Sequence, residues 1–137
     1  MSIREKRVHF VLDRSPVVFD SMPMVLTEFD GESAYRQVTD LLRYKEYRLV
    51  LRTSVAGVPG AYFALETSLD SNTWEAANAN VGEGRVLIDA GNALCVGEWV
   101  ELSNASRRNL CHLRIVGVGG NEEINPSFYH ITAEFRS

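Results

Sequence analysis

The stretch Tyr47-Arg48-Leu49-Val50-Leu51-Arg52 decides the fold class, because apolar and charged side chains alternate along it. Its odd-numbered residues are apolar and face one side of the backbone, whereas Arg48 and Arg52 face the other. This period of two predicts a β-strand with one face in a core. Residues 128–135 repeat the pattern near the end of the chain. The predicted inner face of that last strand carries Tyr129, Ile131, Ala133 and Phe135.

Short alternating segments recur between turn-forming residues in the second half of the chain. The glycine- and proline-containing turn 55–60 joins the opening stretch to the alternating segment Tyr62–Ser68, so these two strands are predicted to form a hairpin. Further strands are predicted at residues 73–75, 85–88, 98–103 and 110–118. In the last of these segments, His112 and Arg114 are predicted to face outward.

The first 45 residues are less regular. Strands are predicted at residues 7–12 and around residues 24–29. The spacing of apolar residues in 32–45 fits one face of a helix, but part of this segment also reads as a strand, and a strand followed by a turn is favoured. Short strands between turns, without convincing helices, predict an all-β, antiparallel, jelly-roll-like sandwich. We expect one domain over residues 1–137, in which residues 1–45 can include an extended arm.

Composition excludes several classes of protein. The chain has 137 residues, of which 45% are hydrophobic and 23% charged, as in ordinary globular domains. Its formal net charge of -4 argues against a surface built for nucleic acid or for an anionic membrane. The sequence shows neither a signal peptide nor an apolar run of about 18 residues, so we expect a protein made in the cytoplasm without a membrane segment.

Residues that carry catalytic or metal chemistry are few. A metal site would need His9, His112 and His130 to converge, with the last two as neighbours on paired strands, and no ligand spacing supports this. The two cysteines, Cys95 and Cys111, are expected to be buried thiols. We therefore expect a protein that is not an enzyme, with no catalytic residue, no metal and no cofactor.

Two tryptophans have two possible roles. Trp74 and Trp99 can form a carbohydrate-binding face, since aromatic planes stack on sugar rings. They can also pack in the core, which is the commoner role for tryptophan at a strand end in a β-sandwich. The position of Trp74 after a polar turn predicts that its ring is half exposed.

Residues 38–51, followed by Ala64-Leu65-Glu66-Thr67-Ser68-Leu69-Asp70-Ser71-Asn72-Thr73-Trp74, resemble small β-sandwich proteins of tailed bacteriophage particles. In those proteins a strand pair leads into a Ser-x-Asp-x-x-x-Trp-like turn. The turn is also similar to that of discoidin-type and carbohydrate-binding modules, as are the later strands 99–102 and 113–116. The resemblance covers the last two thirds of the chain. Such modules often carry a glycine where this turn has Ser71-Asn72, so no calcium or sugar ligand is assigned.

The phage resemblance implies a virion component, such as a capsid decoration or cement protein. Such proteins are often trimers, and they fasten to the major capsid protein without catalysis. Aromatic and arginine anchors are expected at such an interface. The predicted interface residues are Ile3, Arg4, Arg7, Tyr44, Trp74, Arg107 and Arg108. A carbohydrate-binding or receptor-binding tail module, with Trp74 or Trp99 as its stacking platform, is the alternative.

Overall fold

Fifteen short strands and three short 3₁₀ helices make up the described part of the chain. The computed structural model describes residues 5–12, 16–18, 24–26, 28–29, 32–33, 36–39, 41–53, 61–70, 73–78, 84–87, 93–107, 110–120 and 123–137. The strands are β1 (Glu5–Val11), β2 (Val17–Val18), β3 (Met24–Val25), β4 (Glu28–Phe29), β5 (Glu32–Ser33), β6 (Arg36–Thr39), β7 (Glu46–Thr53), β8 (Tyr62–Ser68), β9 (Glu75–Ala76), β10 (Arg85–Leu87), β11 (Leu94–Val96), β12 (Val100–Glu101), β13 (Leu110–Val118), β14 (Glu123–Ile124) and β15 (Tyr129–Arg136). The 3₁₀ helices are Leu41–Arg43, Asn104–Ser106 and Pro126–Phe128.

Two antiparallel sheets form a sandwich. The sheet that we call the front sheet has the order β1-β15-β7-β11, with β12 also paired to β7. The back sheet has the order β10-β8-β13-β3, with β6 also paired to β13 and β9 to β8. Strands that follow one another along the chain change sheet at several points, for example from β6 to β7 and from β7 to β8. The predicted all-β antiparallel sandwich is confirmed. Among the described residues, no helix has the length and apolar character needed to span a membrane.

The core lies between the two sheets, where the inner faces of the alternating strands meet. In β7, Tyr47, Leu49 and Leu51 are buried, as their alternation with charged residues predicts. Phe63 of the back sheet packs against Tyr129 of the front sheet, with ring centroids 5.5 Å apart. The buried apolar residues on the inner faces of both sheets form one continuous cluster. Burial of such side chains, at about 1.5–3 kcal/mol for a large one, is the main stabilising term.

The predicted hairpin between β7 and β8 is wrong. The two strands belong to different sheets, and β7 pairs instead with β15 along its whole length, from Glu46 opposite Arg136 to Thr53 opposite Tyr129. Alternation shows which face of a strand is apolar but not which strand lies beside it. With β7 and β8 in opposite sheets, the apolar faces of both strands belong to the same core.

The irregular first third contains strands, as predicted. The strand expected at residues 7–12 is β1, and the run around residues 24–29 contains the short strands β3 and β4. Within 32–45, β6 is followed by the 3₁₀ helix Leu41–Arg43, so the favoured strand and turn are confirmed over the helical alternative. The extended arm within residues 1–45 stays a prediction, and residues 5–11 are paired with β15.

Stability should fall at alkaline pH because two tyrosines are buried in this core. Burial raises the pKa of Tyr47 and of Tyr129 above their ordinary value. The unfolded chain loses these protons at about pH 10, whereas the folded chain keeps them to higher pH. The contribution of the two tyrosines to stability is therefore fully present below that pH and decreases as the pH rises above it. We expect the urea midpoint to fall between about pH 9.5 and 11.5, with a shallower fall in Tyr47→Phe. An equal fall in both proteins would contradict this account.

Candidate functional site

A lattice of alternating charges covers one end of the outer face of the front sheet. The register of β1, β15 and β7 places six charged residues in two adjacent rows across three strands. The rows are Glu5–Arg136–Glu46 and Arg7–Glu134–Arg48. Each side chain therefore has a residue of opposite sign beside it on the neighbouring strand, an arrangement that stabilises strand pairing. We call these six residues the charged lattice.

Ion pairs hold the arginines of the charged lattice in place. Glu134, whose side chain is only 14% exposed, forms an ion pair with Arg7 Nε at 2.9 Å and accepts a hydrogen bond from Arg48 Nε at 2.7 Å. In the other row, Arg136 Nε donates to Glu46 Oε1 at 2.9 Å. Charge-assisted hydrogen bonds of this length fix the orientation of each guanidinium group. The lattice is consequently an ordered surface in which opposite charges balance one another.

Trp99 packs against this lattice. Its ring centroid lies 4.6 Å from Arg48 Cζ and 4.1 Å from Arg136 Cζ, which is within the range of cation–π contacts. The segment before it is held on the sheet by the Gly97 N–H, which donates to the Leu49 carbonyl oxygen at 2.8 Å. The indole remains half-buried. We call Trp99 together with the charged lattice the Trp99 cluster.

A shallow pocket lies beside the Trp99 cluster. Its lining adds Lys6 and Phe135 to residues of the cluster, and its volume is about 40 Å³. This volume holds a few water molecules but not a sugar ring. The chemistry of the site is therefore that of an exposed protein surface with an aromatic ring and ordered guanidinium groups.

A second tryptophan–arginine pair lies on the outer face of the back sheet. The Trp74 ring centroid is 4.3 Å from Arg114 Cζ, and Arg114 forms an ion pair with Glu66 at 2.8 Å. Just before Trp74, the Thr73 N–H donates a hydrogen bond to Asp70 Oδ1 at 2.9 Å. We call Glu66, Trp74 and Arg114 the Trp74 cluster.

The two tryptophans are not in the core. Trp74 is half-buried, as its position after a turn predicts. Trp99 is also half-buried, on the opposite sheet. The core packing that is commoner for tryptophan in β-sandwiches is therefore not found at either position, and both rings lie against arginines on outer faces. Sugar stacking by either ring stays a prediction.

Two predicted interface residues are used within the fold. Tyr44 was expected on an exposed loop, and this is wrong, because its ring is only 8% exposed and lies 6.2 Å from the Phe135 ring in the core. Arg107 Nε donates to the Tyr44 carbonyl oxygen at 2.9 Å, and a terminal nitrogen of Arg107 donates to the Leu42 carbonyl oxygen at 3.1 Å. Arg107 therefore fastens this loop to the 3₁₀ helix Asn104–Ser106.

The other predicted interface residues divide between the surface and the undescribed part of the chain. Arg7 lies on the outer face of β1 with 63% of its side chain exposed, and it belongs to the Trp99 cluster. Trp74 lies on the opposite sheet, so the structure does not bring these two together. Ile3, Arg4 and Arg108 lie outside the described residues.

The histidines do not converge. His112 was predicted to face outward with Arg114, and it alternates with the core residues Leu113 and Ile115, but it is only 8% exposed. It lies in the back sheet whereas His130 lies in the front sheet, so the two are not cross-strand neighbours. His9 is exposed and its Nδ1 is 3.0 Å from Thr132 Oγ1. Among the described residues, no group of three His, Cys, Asp or Glu side chains is placed to hold a metal ion.

The cysteines fit the expectation of buried thiols only in part. Cys95 is half-buried, and it packs against the core from the edge strand β11. The side chain of Cys111 lies outside the described residues, and its backbone pairs with Val38 within the back sheet. A half-buried thiol on an edge strand acts here as a small apolar side chain.

Comparison with known proteins gave no match, neither among the models of protein families nor among the curated proteins.

The Trp99 cluster was not predicted from the sequence, in which Trp99 was recognised but its partners were not. The outward positions of Arg48 and Glu134 follow from alternation alone. Their contact depends on the pairing of β7 with β15, which alternation does not predict.

Proposed function

We propose that this chain is a non-enzymatic structural protein of a bacteriophage virion, a capsid decoration or cement protein. It binds the major capsid protein through protein–protein contacts, as a homotrimer made in the host cytoplasm, and it uses no cofactor, nucleic acid or membrane. The resemblance in residues 38–74 supports this proposal. The antiparallel sandwich is compatible with it, because viral capsid and lectin domains are built from two packed antiparallel sheets. Because fold alone does not determine function, the proposal depends on the surface.

The observation that carries the proposal is the Trp99 cluster. Tryptophan and arginine are the residue types most enriched at the energetic centres of protein interfaces. Here both are already oriented, since Glu134 and Glu46 hold the guanidinium groups that lie against the ring. Groups ordered before binding lose less conformational entropy in the complex. The outer face of the front sheet is thus the capsid-binding face in this proposal.

Binding to empty capsids tests the proposal. The probe is an empty capsid assembled from the major capsid protein encoded nearest to this gene, and binding is measured by co-sedimentation. We expect Trp99→Ala to bind about 30-fold more weakly, as at an interface hot spot. Trp74→Ala is the matched control on the opposite sheet and should bind like the wild type. Circular dichroism confirms that both variants fold, and sedimentation velocity of the wild type checks for the trimer.

Two results would overturn this assignment. Absence of wild-type binding to the capsids would contradict the virion proposal, and equal loss of binding in both variants would contradict the assignment of the front sheet as the binding face.

The second candidate function, a carbohydrate-binding or receptor-binding tail module, is favoured by the Trp74 cluster, which places a half-buried ring beside the paired Arg114 and Glu66. Glycan binding that disappears in Trp74→Ala and persists in Trp99→Ala would favour that candidate instead.

A further inference from the structure

The strand β1 forms one edge of the front sheet. All seven of its residues pair with β15, from Glu5 opposite Arg136 to Val11 opposite His130. On the other side of β1, no strand is paired with it within the described part of the chain. Glu5, Arg7 and His9 are exposed along its outer face. A long edge strand with open backbone N–H and C=O groups is a template on which another strand can add.

A second copy of this chain does not fit that edge. Symmetric antiparallel pairing centred on Lys6 or on Arg7 places that cation directly opposite its own copy, which is destabilising. Pairing centred on Val8 places Arg7 opposite His9 and leaves Lys6 opposite Phe10. Only the register centred on Lys6 gives a cation a carboxylate partner, Glu5 opposite Arg7, and that register also places Lys6 opposite its own copy. Charged side chains on an edge strand are a known device against self-pairing.

Lys6 and Arg7 instead favour a partner strand that carries negative charge. Lys6 lies opposite Phe135, on the inner side of β1, and Arg7 lies on the outer side. Lys6 forms no ion pair with any of the described residues. Arg7 is 63% exposed although it contacts Glu134. Because the two side chains point to opposite faces, a strand paired with β1 meets them with two consecutive residues, one on each face.

We propose that the free edge of β1 binds an extended acidic segment of another protein by antiparallel strand addition. Two consecutive acidic residues of that segment lie opposite Lys6 and Arg7, and uncharged residues lie opposite Val8 and His9. Main-chain hydrogen bonds supply affinity in this mode, and the acidic pair supplies the register and the choice of partner. The inference deepens the proposed function, and only the identification of that partner as a virion protein rests on it.

A pair of synthetic peptides tests the proposal on the full chain. The acidic probe is Ac-Thr-Val-Thr-Val-Glu-Glu-Thr-NH2, and the matched control has Lys-Lys in place of Glu-Glu. Each is titrated into ¹⁵N-labelled protein while backbone amide shifts are recorded. We expect shifts concentrated in residues 5–11, and binding of the acidic peptide about tenfold tighter than that of the control. In Lys6→Glu, this preference should be lost or reversed.

A second measurement tests whether Lys6 prevents self-pairing. We expect Lys6→Val to form larger, concentration-dependent assemblies than the wild type in sedimentation velocity. Lys45→Val, which removes an exposed lysine from the segment before β7, should sediment like the wild type. Equal binding of the two peptides, or shifts away from β1, would overturn the proposal. The titration contains no capsid, so its failure leaves the capsid assignment standing, and failure of capsid binding leaves this edge site standing.

Discussion

Gly84→Ala is expected to lower the free energy of unfolding by about 3 kcal/mol, because the new methyl group is disfavoured for two separate reasons. Gly84 has a φ of 69°, a left-handed backbone conformation that residues other than glycine adopt only at a cost in free energy. A Cβ at this position would also overlap the hydroxyl of Tyr47 and come within 2.9 Å of Val100 Cγ2. Tyr47 is 1% exposed, so its ring has little room to move away.

Two companion variants separate these reasons. Gly119→Ala introduces a Cβ at a φ of 84° and so measures the backbone cost at another turn. Tyr47→Phe removes the hydroxyl that the new methyl group would overlap, and it should therefore cost less in the Gly84→Ala background than alone. Urea unfolding of the four proteins in the Tyr47–Gly84 cycle gives the coupling. Additive effects would show that overlap with Tyr47 is not responsible.

Phe135→Ala is expected to destabilise the protein by about 3–5 kcal/mol, although this residue is close to the end of the chain. Phe135 is fully buried. Its ring lies 6.2 Å from that of Tyr44 and 6.3 Å from that of Tyr47, measured between centroids. Truncation removes the apolar surface of a whole ring and leaves a cavity between these two tyrosines. The urea midpoint should therefore fall sharply.

Phe128→Ala is the matched control. Phe128 is 45% exposed in the 3₁₀ helix before β15, so the same truncation removes little buried surface. We expect a change of about 0.5 kcal/mol or less at this position. Comparable losses in the two variants would mean that the last strand does not complete the core as described.

Alternation in the sequence predicted those features of the fold that depend only on which side chains are buried. The buried faces of β7 and β15 were predicted residue by residue, because a strand with one apolar face has only one way to bury it. Sheet membership was harder, and the predicted hairpin of β7 with β8 was wrong. Both strands bury one face whether they lie side by side or in opposite sheets, so their sequences fit either arrangement.

The candidate site was less predictable than the fold. Trp99 was recognised as a surface candidate, but its partners Arg48 and Arg136 come from strands at distant places in the chain. Arg48 and Glu134 are 86 residues apart in sequence, and they meet only because β7 and β15 are neighbours. Tyr44 shows the opposite error, since an aromatic residue in a polar loop was expected at the surface and instead packs on Phe135.

The sequence by itself determined that this protein is built from strands and which side of the longest strands is apolar, because side-chain alternation is a local property of the backbone. The tertiary structure decided which strands pair, and through that register it assembled the Trp99 cluster and buried His112. Among the described strands, it also left one edge of β1 without a paired neighbour. Strand pairing depends on many weak contacts between distant segments. The free energy of the chain reaches its minimum only when all these contacts form together and the two sheets close over one core.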